Sequence, residues 1–140
     1  MKKLIMLGFL TICITALSIQ YKDGVYTAQA SKPYHGWASI VQLTVKNGEV
    51  SEIIIEDFDK NNVKRSDNVS ANEQLKKDIG TTYPEIVTNF KNQFMAKKNV
   101  SDIDEIAGAT KQNKIFKNLT KAALDNAEKG DTTRAIFDAR

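Results

Sequence analysis

The chain has 140 residues, 41% of them hydrophobic, which favours one globular domain with an ordinary core. Its formal net charge is +3, and loss of two N-terminal lysines with a signal segment would reduce the 20 basic residues to 18, against 17 acidic ones. This balance argues against a nucleic-acid partner, which needs a clustered basic surface. Because the only cysteine is at position 13 and His35 is the only histidine, the following domain has no disulfide or thiolate metal site, and no histidine metal site is expected.

Residues 1–18 have the features of a secretory signal peptide. Two lysines precede the uncharged apolar run 4–17, and small residues precede an expected cleavage site after Ser18. The protein is therefore expected outside the cytoplasm, secreted or attached to the outer face of the membrane. Two alternatives stay open. One is an uncleaved signal-anchor, although the run is shorter than the roughly 20 residues of a full span. The other is lipidation of Cys13, for which the large Ile12 before it is a poor fit.

A small antiparallel sheet is predicted from three segments. Residues 22–30 have the alternation of a first strand, and a β-hairpin follows in which Val41, Leu43 and Val45 alternate with polar residues. Asn47 and Gly48 tolerate the positive φ angles of a type I′ turn. In the return strand Val50 and Ile53 are out of phase by one residue, which predicts a β-bulge near Ser51 and Glu52.

Helices are predicted after the sheet. Ser70 and Glu73 have the spacing of a capping box that begins a short helix, and Gly80 ends it. Thr82 and Glu85 have the same spacing before a second helix, whose buried stripe is Ile86, Phe90 and Phe94. The last helix is expected from about Thr110 to Lys129, with Gly130 as its stop.

The order of elements predicts an α+β fold with helices packed on one face of the antiparallel sheet. The domain is expected to span residues 19–130. Residues 131–140 have no clear period, which favours a flexible tail.

Gly108, Ala109 and Thr110 form a helix entrance with almost no side-chain bulk. Unpaired N–H groups and the dipole favour an anion there, and a glycine allows close approach of a ligand to the backbone. Thr110 would place its hydroxyl at the same point, where a phosphate could be bound or esterified. The alternative is that Thr110 is only an N-cap and Gly108 a turn residue.

The segment Asp104-Glu105-Ile106-Ala107-Gly108-Ala109-Thr110 resembles the attachment motif of the FMN-binding domain family. That family includes the flavin-carrying subunits of sodium-translocating NADH:quinone reductase and of Rnf complexes, and small surface proteins. Its motif reads Asp, two residues, Ser or Thr, then Gly-Ala-Thr. Ala107 is the one departure, because the usual hydroxyl is missing there. The stretches "DGVYTAQA", "HGWASIVQLTVKNGEVSEIIIEDFD" and "AALDNAEKGD" also resemble the family, so the likeness covers nearly the whole chain after the signal.

The resemblance implies that a flavin transferase, dependent on FAD and magnesium, joins FMN to Thr110 as a phosphoester. Gly108 and Ala109 would give the transferase and the phosphate access, and Asp104 would help to orient the segment. The protein would then be an electron carrier more than an enzyme with its own substrate. It would relay electrons between a membrane-side donor and an extracellular acceptor or a second flavin carrier.

Residues outside the motif complete the set of candidates for FMN binding. Tyr34 and Trp37 flank Gly36 in a loop and are candidates for covering the flavin ring, with a core or rim role as the alternative for Trp37. Lys64 and Arg65 are candidates for contact with the phosphate or ring carbonyls, with a solvated loop as the alternative. Two other functions stay open: non-covalent binding of FMN or another anion, and a surface protein without a cofactor.

Overall fold

The computed structural model describes residues 19–139. In chain order the elements are β1 (Gly24–Ala30), β2 (Ala38–Lys46), β3 (Glu49–Phe58), α1 (Val69–Ile79), α2 (Tyr83–Lys97), a short 3₁₀ helix (Val100–Asp102), α3 (Thr110–Lys129) and β4 (Ala135–Phe137). The predicted signal segment 1–18, including Cys13, lies outside the described residues. Within residues 19–139 no helix has the length and apolarity needed to cross a membrane.

The sheet has the order β3-β2-β1-β4, and the β2–β3 hairpin, which includes the edge strand β3, follows the sequence pattern. Asn47 and Gly48 have φ angles of 53° and 78°, as the predicted type I′ turn requires. Thr44 pairs with Glu52 whereas Val45 pairs with Val50, so Ser51 is the extra residue of a β-bulge. The bulge is confirmed where it was predicted, and it returns the apolar residues of β3 to the inner face of the sheet.

The helices cover one face of the sheet, which confirms the predicted α+β class. The inner face consists of alternate residues of the three long strands, all buried: Tyr26, Ala28, Ala30, Val41, Leu43, Val45, Val50, Ile53 and Ile55. Helix α3 packs on β1 and β2, and α2 packs on β3. The predicted stripe of α2 is buried as expected, and the edge-to-face ring pair of Phe90 and Phe116 joins α2 to α3.

The two helix starts after the sheet differ in how well the sequence predicts them. Helix α2 has the predicted capping box, in which Thr82 and Glu85 exchange hydrogen bonds with each other's backbone N–H groups. The predicted box at Ser70 and Glu73 is wrong. Helix α1 begins earlier, because the side chain of Asn68 accepts a hydrogen bond from Ala71 N at 2.9 Å. Asparagine is as good an N-cap as serine, so the first available cap starts the helix.

The end of the chain also needs a correction. Ala135–Phe137, expected to belong to a flexible tail, form β4, which pairs in parallel with β1. Ser31 N donates a hydrogen bond to Phe137 O at 2.8 Å, and Asn118 Nδ2 donates to Ala139 O at 3.0 Å. Three residues are too few for a periodic pattern, so the pairing was not visible in the sequence.

Candidate functional site

A cavity of about 420 Å³ lies where the loop before β2, the end of α1 and the start of α3 meet. Tyr34 and Trp37 contribute aromatic walls, Ile79 of α1 lies beside the backbone of Gly108, and Ala109 belongs to the start of α3. Four residues predicted for FMN binding are therefore brought together: Tyr34, Trp37, Gly108 and Ala109. This volume is within the range of small-molecule sites, about 300–1,000 Å³.

The start of α3 has no side-chain cap. Ala109 occupies the N-cap position, and no side chain accepts a hydrogen bond there. The first helical hydrogen bond runs from Asn113 N to Ala109 O, at 2.9 Å. The N–H groups of residues 110–112 therefore have no acceptor within the helix, and they carry the positive end of its dipole.

Thr110 is the first residue of α3, and it is exposed. The alternative interpretation as an N-cap is wrong, because the cap position belongs to Ala109 and the entrance has no side-chain cap. Thr110 itself does not line the cavity, but its neighbours Ala109 and Lys111 do. Thr110 is therefore an exposed residue between two residues that line the cavity.

Gly108 is a turn residue, as the alternative interpretation of this segment expected, and it also makes a close contact with α1 that the sequence did not indicate. Its φ is +81°, and a Cβ at this position would lie 2.8 Å from Cβ of Ile79 and 2.9 Å from its Cγ2. A glycine is therefore required for both the backbone conformation and the close contact between α1 and the loop before α3. Access for a phosphate stays a prediction for this residue.

Tyr34 and Trp37 are held as a pair by a tight turn. Tyr34 N donates to Trp37 O at 2.8 Å, and Trp37 N donates to Tyr34 O at 3.0 Å. The two central residues, His35 and Gly36, have φ angles of 50° and 83°. Because the two aromatic residues are directly opposite each other, their side chains project from the same side of the turn. Trp37 is half-buried at the rim of the cavity, and stacking on a bound ring stays a prediction.

Arg65 lines the cavity, in contrast to its interpretation as part of a solvated loop. Only 14% of its side chain is exposed. Its Nη1 donates to Asp57 Oδ2 at 3.1 Å and to Gln112 Oε1 at 3.2 Å. Its Cζ lies 5.6 Å from the ring centroid of Trp37 and 4.9 Å from that of Tyr83, so the cation makes cation–π contacts with two aromatic side chains.

Asp57 is the buried anion behind Arg65, with 1% of its side chain exposed. Gln112 Nε2 donates to its Oδ2 at 3.1 Å and to Ser39 Oγ at 3.4 Å. Burial raises the pKa of Asp57, while Ser39 and the Arg65 guanidinium oppose that rise. Burial, and then the Asp57 charge, raise the pKa of Tyr83 far above its ordinary value.

Two atoms of this buried group lack a hydrogen bond. Within residues 19–139 neither Asp57 Oδ1 nor the Tyr83 hydroxyl has a partner at bonding geometry, although the two side chains are close enough to perturb each other's pKa. Gln112, Asp57 and Tyr83 were not expected from the sequence. Asp57 alternates with Ile53 and Ile55 and therefore points to the same inner face of the sheet. This alternation could have predicted a buried carboxylate that needs a cation beside it.

Besides Thr110, three predicted site residues lie outside the cavity. The carboxylate of Asp104 is exposed and pairs with Lys97 Nζ at 3.0 Å, while Gln93 bonds both backbone polar groups of Asp104. Ala107 is exposed in the turn before Gly108. Lys64 is exposed and pairs through its backbone with Phe58, so only the second residue of the Lys64-Arg65 pair reaches the cavity.

The charges around the cavity are mixed. Arg65, Lys111 and the start of α3 are positive, whereas Asp78 is acidic and Arg65 is paired with the Asp57 carboxylate. Asp78 is exposed and accepts a hydrogen bond from Gln74 Nε2 at 2.7 Å. Within residues 19–139 no group of three or more His, Cys, Asp or Glu side chains is placed to hold a metal ion.

Comparison with known proteins supports the fold but identifies no activity. No family model matches the chain, and no curated protein matches it. A crystal structure of a Clostridium perfringens protein is similar over 84% of this chain and 97% of its own, with 28% identity and a TM-score of 0.79. A solution structure from Clostridium thermocellum covers 76% of this chain and 92% of its own, with 23% identity and a TM-score of 0.51. Both were structural genomics targets, and neither description names an activity or a ligand.

Proposed function

We propose that this protein is an extracytoplasmic electron carrier that holds FMN as a phosphoester on Oγ1 of Thr110. One observation carries the proposal. Thr110 is exposed at the uncapped start of α3, and the residues on either side of it in the chain, Ala109 and Lys111, line the cavity. A phosphate on this oxygen would be next to the N–H groups of residues 110–112, and the ring attached to it would be next to the cavity.

The residues present fit this group. The absence of a side-chain cap leaves backbone donors for the phosphate oxygens, which is how helix starts bind phosphate. Gly108 and Ala109 add almost no bulk beside the phosphate. The cavity of about 420 Å³ has the paired aromatic side chains of Tyr34 and Trp37 on one side, where a planar ring would stack.

Attachment would be performed by a separate flavin transferase with FAD and magnesium, as the resemblance to the FMN-binding domain family implies. The Thr110 oxygen would form the new bond to the FMN phosphorus, the bond between the two phosphates of FAD would break, and AMP would leave with the hydroxyl proton released. Thr110 is thus an acceptor and not a catalytic residue. Asp104 and Ala107 are exposed outside the cavity, where the transferase rather than the bound ring would contact them.

When bound, FMN would supply the redox chemistry, and the chain would supply attachment, orientation and electrostatics. Attachment at Thr110 would keep a cofactor that would otherwise diffuse away outside the cytoplasm. The turn of Tyr34 and Trp37 would orient the ring. In this role the protein relays electrons between a membrane-side donor and an extracellular acceptor or a second flavin carrier.

The test is the intact mass of the denatured protein, purified from its own host or co-expressed with a flavin transferase. We expect an increase of one FMN less one water, and we expect Thr110→Ala to abolish it. Thr88→Ala is the matched control, because Thr88 is an exposed threonine of α2 that does not line the cavity. This control should keep the full increase.

Other results would refute the covalent proposal. An unmodified mass together with a yellow native sample would support reversible FMN binding, the alternative that the alanine at position 107 favours. An unmodified, colourless protein would support a surface module without a cofactor. An increase that persists in Thr110→Ala would place the flavin on a different residue.

A further inference from the structure

The guanidinium of Arg65 is a fixed cation in the wall of the cavity. Both hydrogen bonds of its side chain use Nη1, one to Asp57 and one to Gln112. Within residues 19–139 no protein acceptor is found for Nη2 or Nε. The group therefore has N–H donors left over, in a side chain that is only 14% exposed and that lines the cavity.

Four side chains hold Arg65 in place. Asp57 is buried and paired with Arg65, and Gln112 bonds both of them. The guanidinium also lies against the rings of Trp37 and Tyr83. Donors that are fixed before a ligand arrives lose little conformational entropy on binding, which increases both affinity and selectivity.

We propose that Arg65 determines which ring the cavity accepts, by donating its free N–H groups to a planar ring that carries carbonyl or anionic acceptors. The argument uses the Asp57–Arg65–Gln112 contacts and the shared wall with Trp37. The identity of the ring as the isoalloxazine of FMN rests on the proposed function. A ring without acceptors at its edge would leave these donors unpaired and would bind less well.

The test uses riboflavin, which has the ring of FMN without the phosphate. The protein is made without a flavin transferase, and the fluorescence of Trp37 is followed during titration with riboflavin and, separately, with FMN. Trp37 is the single tryptophan of the chain and lines the cavity, so its signal reports on that site. We expect Arg65→Gln to weaken both ligands by the same factor, roughly 10- to 100-fold.

Two variants serve as controls. Lys64→Gln removes the neighbouring positive charge, which is exposed outside the cavity, and should leave both affinities unchanged. Arg65→Lys keeps the charge without the planar fork and should lose less affinity than Arg65→Gln. If Arg65→Gln fails to fold because Asp57 has lost its cation, Asp57→Asn combined with Arg65→Gln removes both charges and should show the same loss.

The outcomes separate this inference from the proposed function. Unchanged riboflavin affinity in Arg65→Gln, or no binding of riboflavin to the wild-type protein, would refute the inference even if the mass of the host protein shows FMN on Thr110. A loss confined to FMN would also refute it, because Arg65 would then contact the phosphate. Conversely, the protein could bind riboflavin in an Arg65-dependent way and yet never gain the mass of FMN. That result would refute the covalent proposal and leave this inference standing.

Discussion

Substitution of Gly108 by alanine tests the geometry on which the start of α3 depends. The new Cβ would lie 2.8 Å from Cβ of Ile79, which the backbone of α1 fixes in place, and 2.9 Å from its Cγ2. It would also place an L-residue at a φ of +81°. Gly80 provides a matched control, because its φ is +80° and a Cβ there would meet no atom within 4 Å. Gly80→Ala therefore reports the backbone strain without the steric clash.

The costs of the backbone strain and of the steric clash can be estimated separately. An L-residue in the left-handed region costs about 1–2 kcal/mol, and overpacking a close contact adds about 1–3 kcal/mol. We expect Gly80→Ala to lower the free energy of unfolding by the first amount and Gly108→Ala by the sum, about 2–5 kcal/mol. Urea unfolding measures both. With an m-value of about 1.5 kcal/mol/M, the midpoint of Gly108→Ala should be about 0.7–2 M lower than that of Gly80→Ala.

A second variant identifies the clash. Ile79→Ala removes Cγ2 and Cδ1 but keeps Cβ, so Gly108→Ala should be less destabilising in that background than in the wild-type protein. Equal midpoints for Gly108→Ala and Gly80→Ala would refute the reasoning. They would mean that α1 moves away from the loop without loss of stability, and that Gly108 is needed for its φ angle alone.

Two further predictions concern helix starts. Because Asn68 caps α1, Asn68→Ala should lower the free energy of unfolding by about 0.5–2 kcal/mol. Ser70→Ala should change it by less than about 0.5 kcal/mol. If urea unfolding showed the larger effect for Ser70→Ala, the capping box predicted at Ser70 would be correct after all. Backbone N–H donation from Thr82, with smaller contributions from neighbouring side chains, lowers the pKa of Glu85 from 4.5 to about 2. Its stabilisation is therefore present above pH 4.5 and lost as the pH falls towards 2, so the urea midpoints of wild type and Glu85→Gln should converge over that interval; a constant difference would contradict the linkage.

Local sequence patterns were sufficient to predict the hairpin of β2 and β3 and the start of α2. The bulge at Ser51 could be predicted because strand faces alternate strictly, so an out-of-phase pair such as Val50 and Ile53 requires one extra residue. The capping box of α2 could be predicted because both partners are three residues apart in the chain. By contrast, β4 depends on pairing with β1, more than 100 residues earlier, and three residues carry no period of their own.

The helix start and the aromatic pair of the site were likewise visible in the sequence, because each is a short continuous segment. The sequence did not predict which polar residues lie beside these two segments in the site. Lys64 and Arg65 are adjacent and carry the same charge, yet Arg65 pairs with Asp57 near the end of β3, whereas Lys64 is exposed.

The position of Asp57 on the inner face of β3 could have predicted which of the two basic residues lies in the site. Its alternation with Ile53 and Ile55 places a carboxylate in the core, where burial raises its pKa and an unpaired charge would be strongly destabilising. A nearby cation is then required. Arginine suits a buried pair better than lysine, because its guanidinium is less strongly hydrated and donates several hydrogen bonds in fixed directions. The contact that satisfies Asp57 uses Nη1 of Arg65, so the pairing of the buried carboxylate also fixes a cation that lines the cavity.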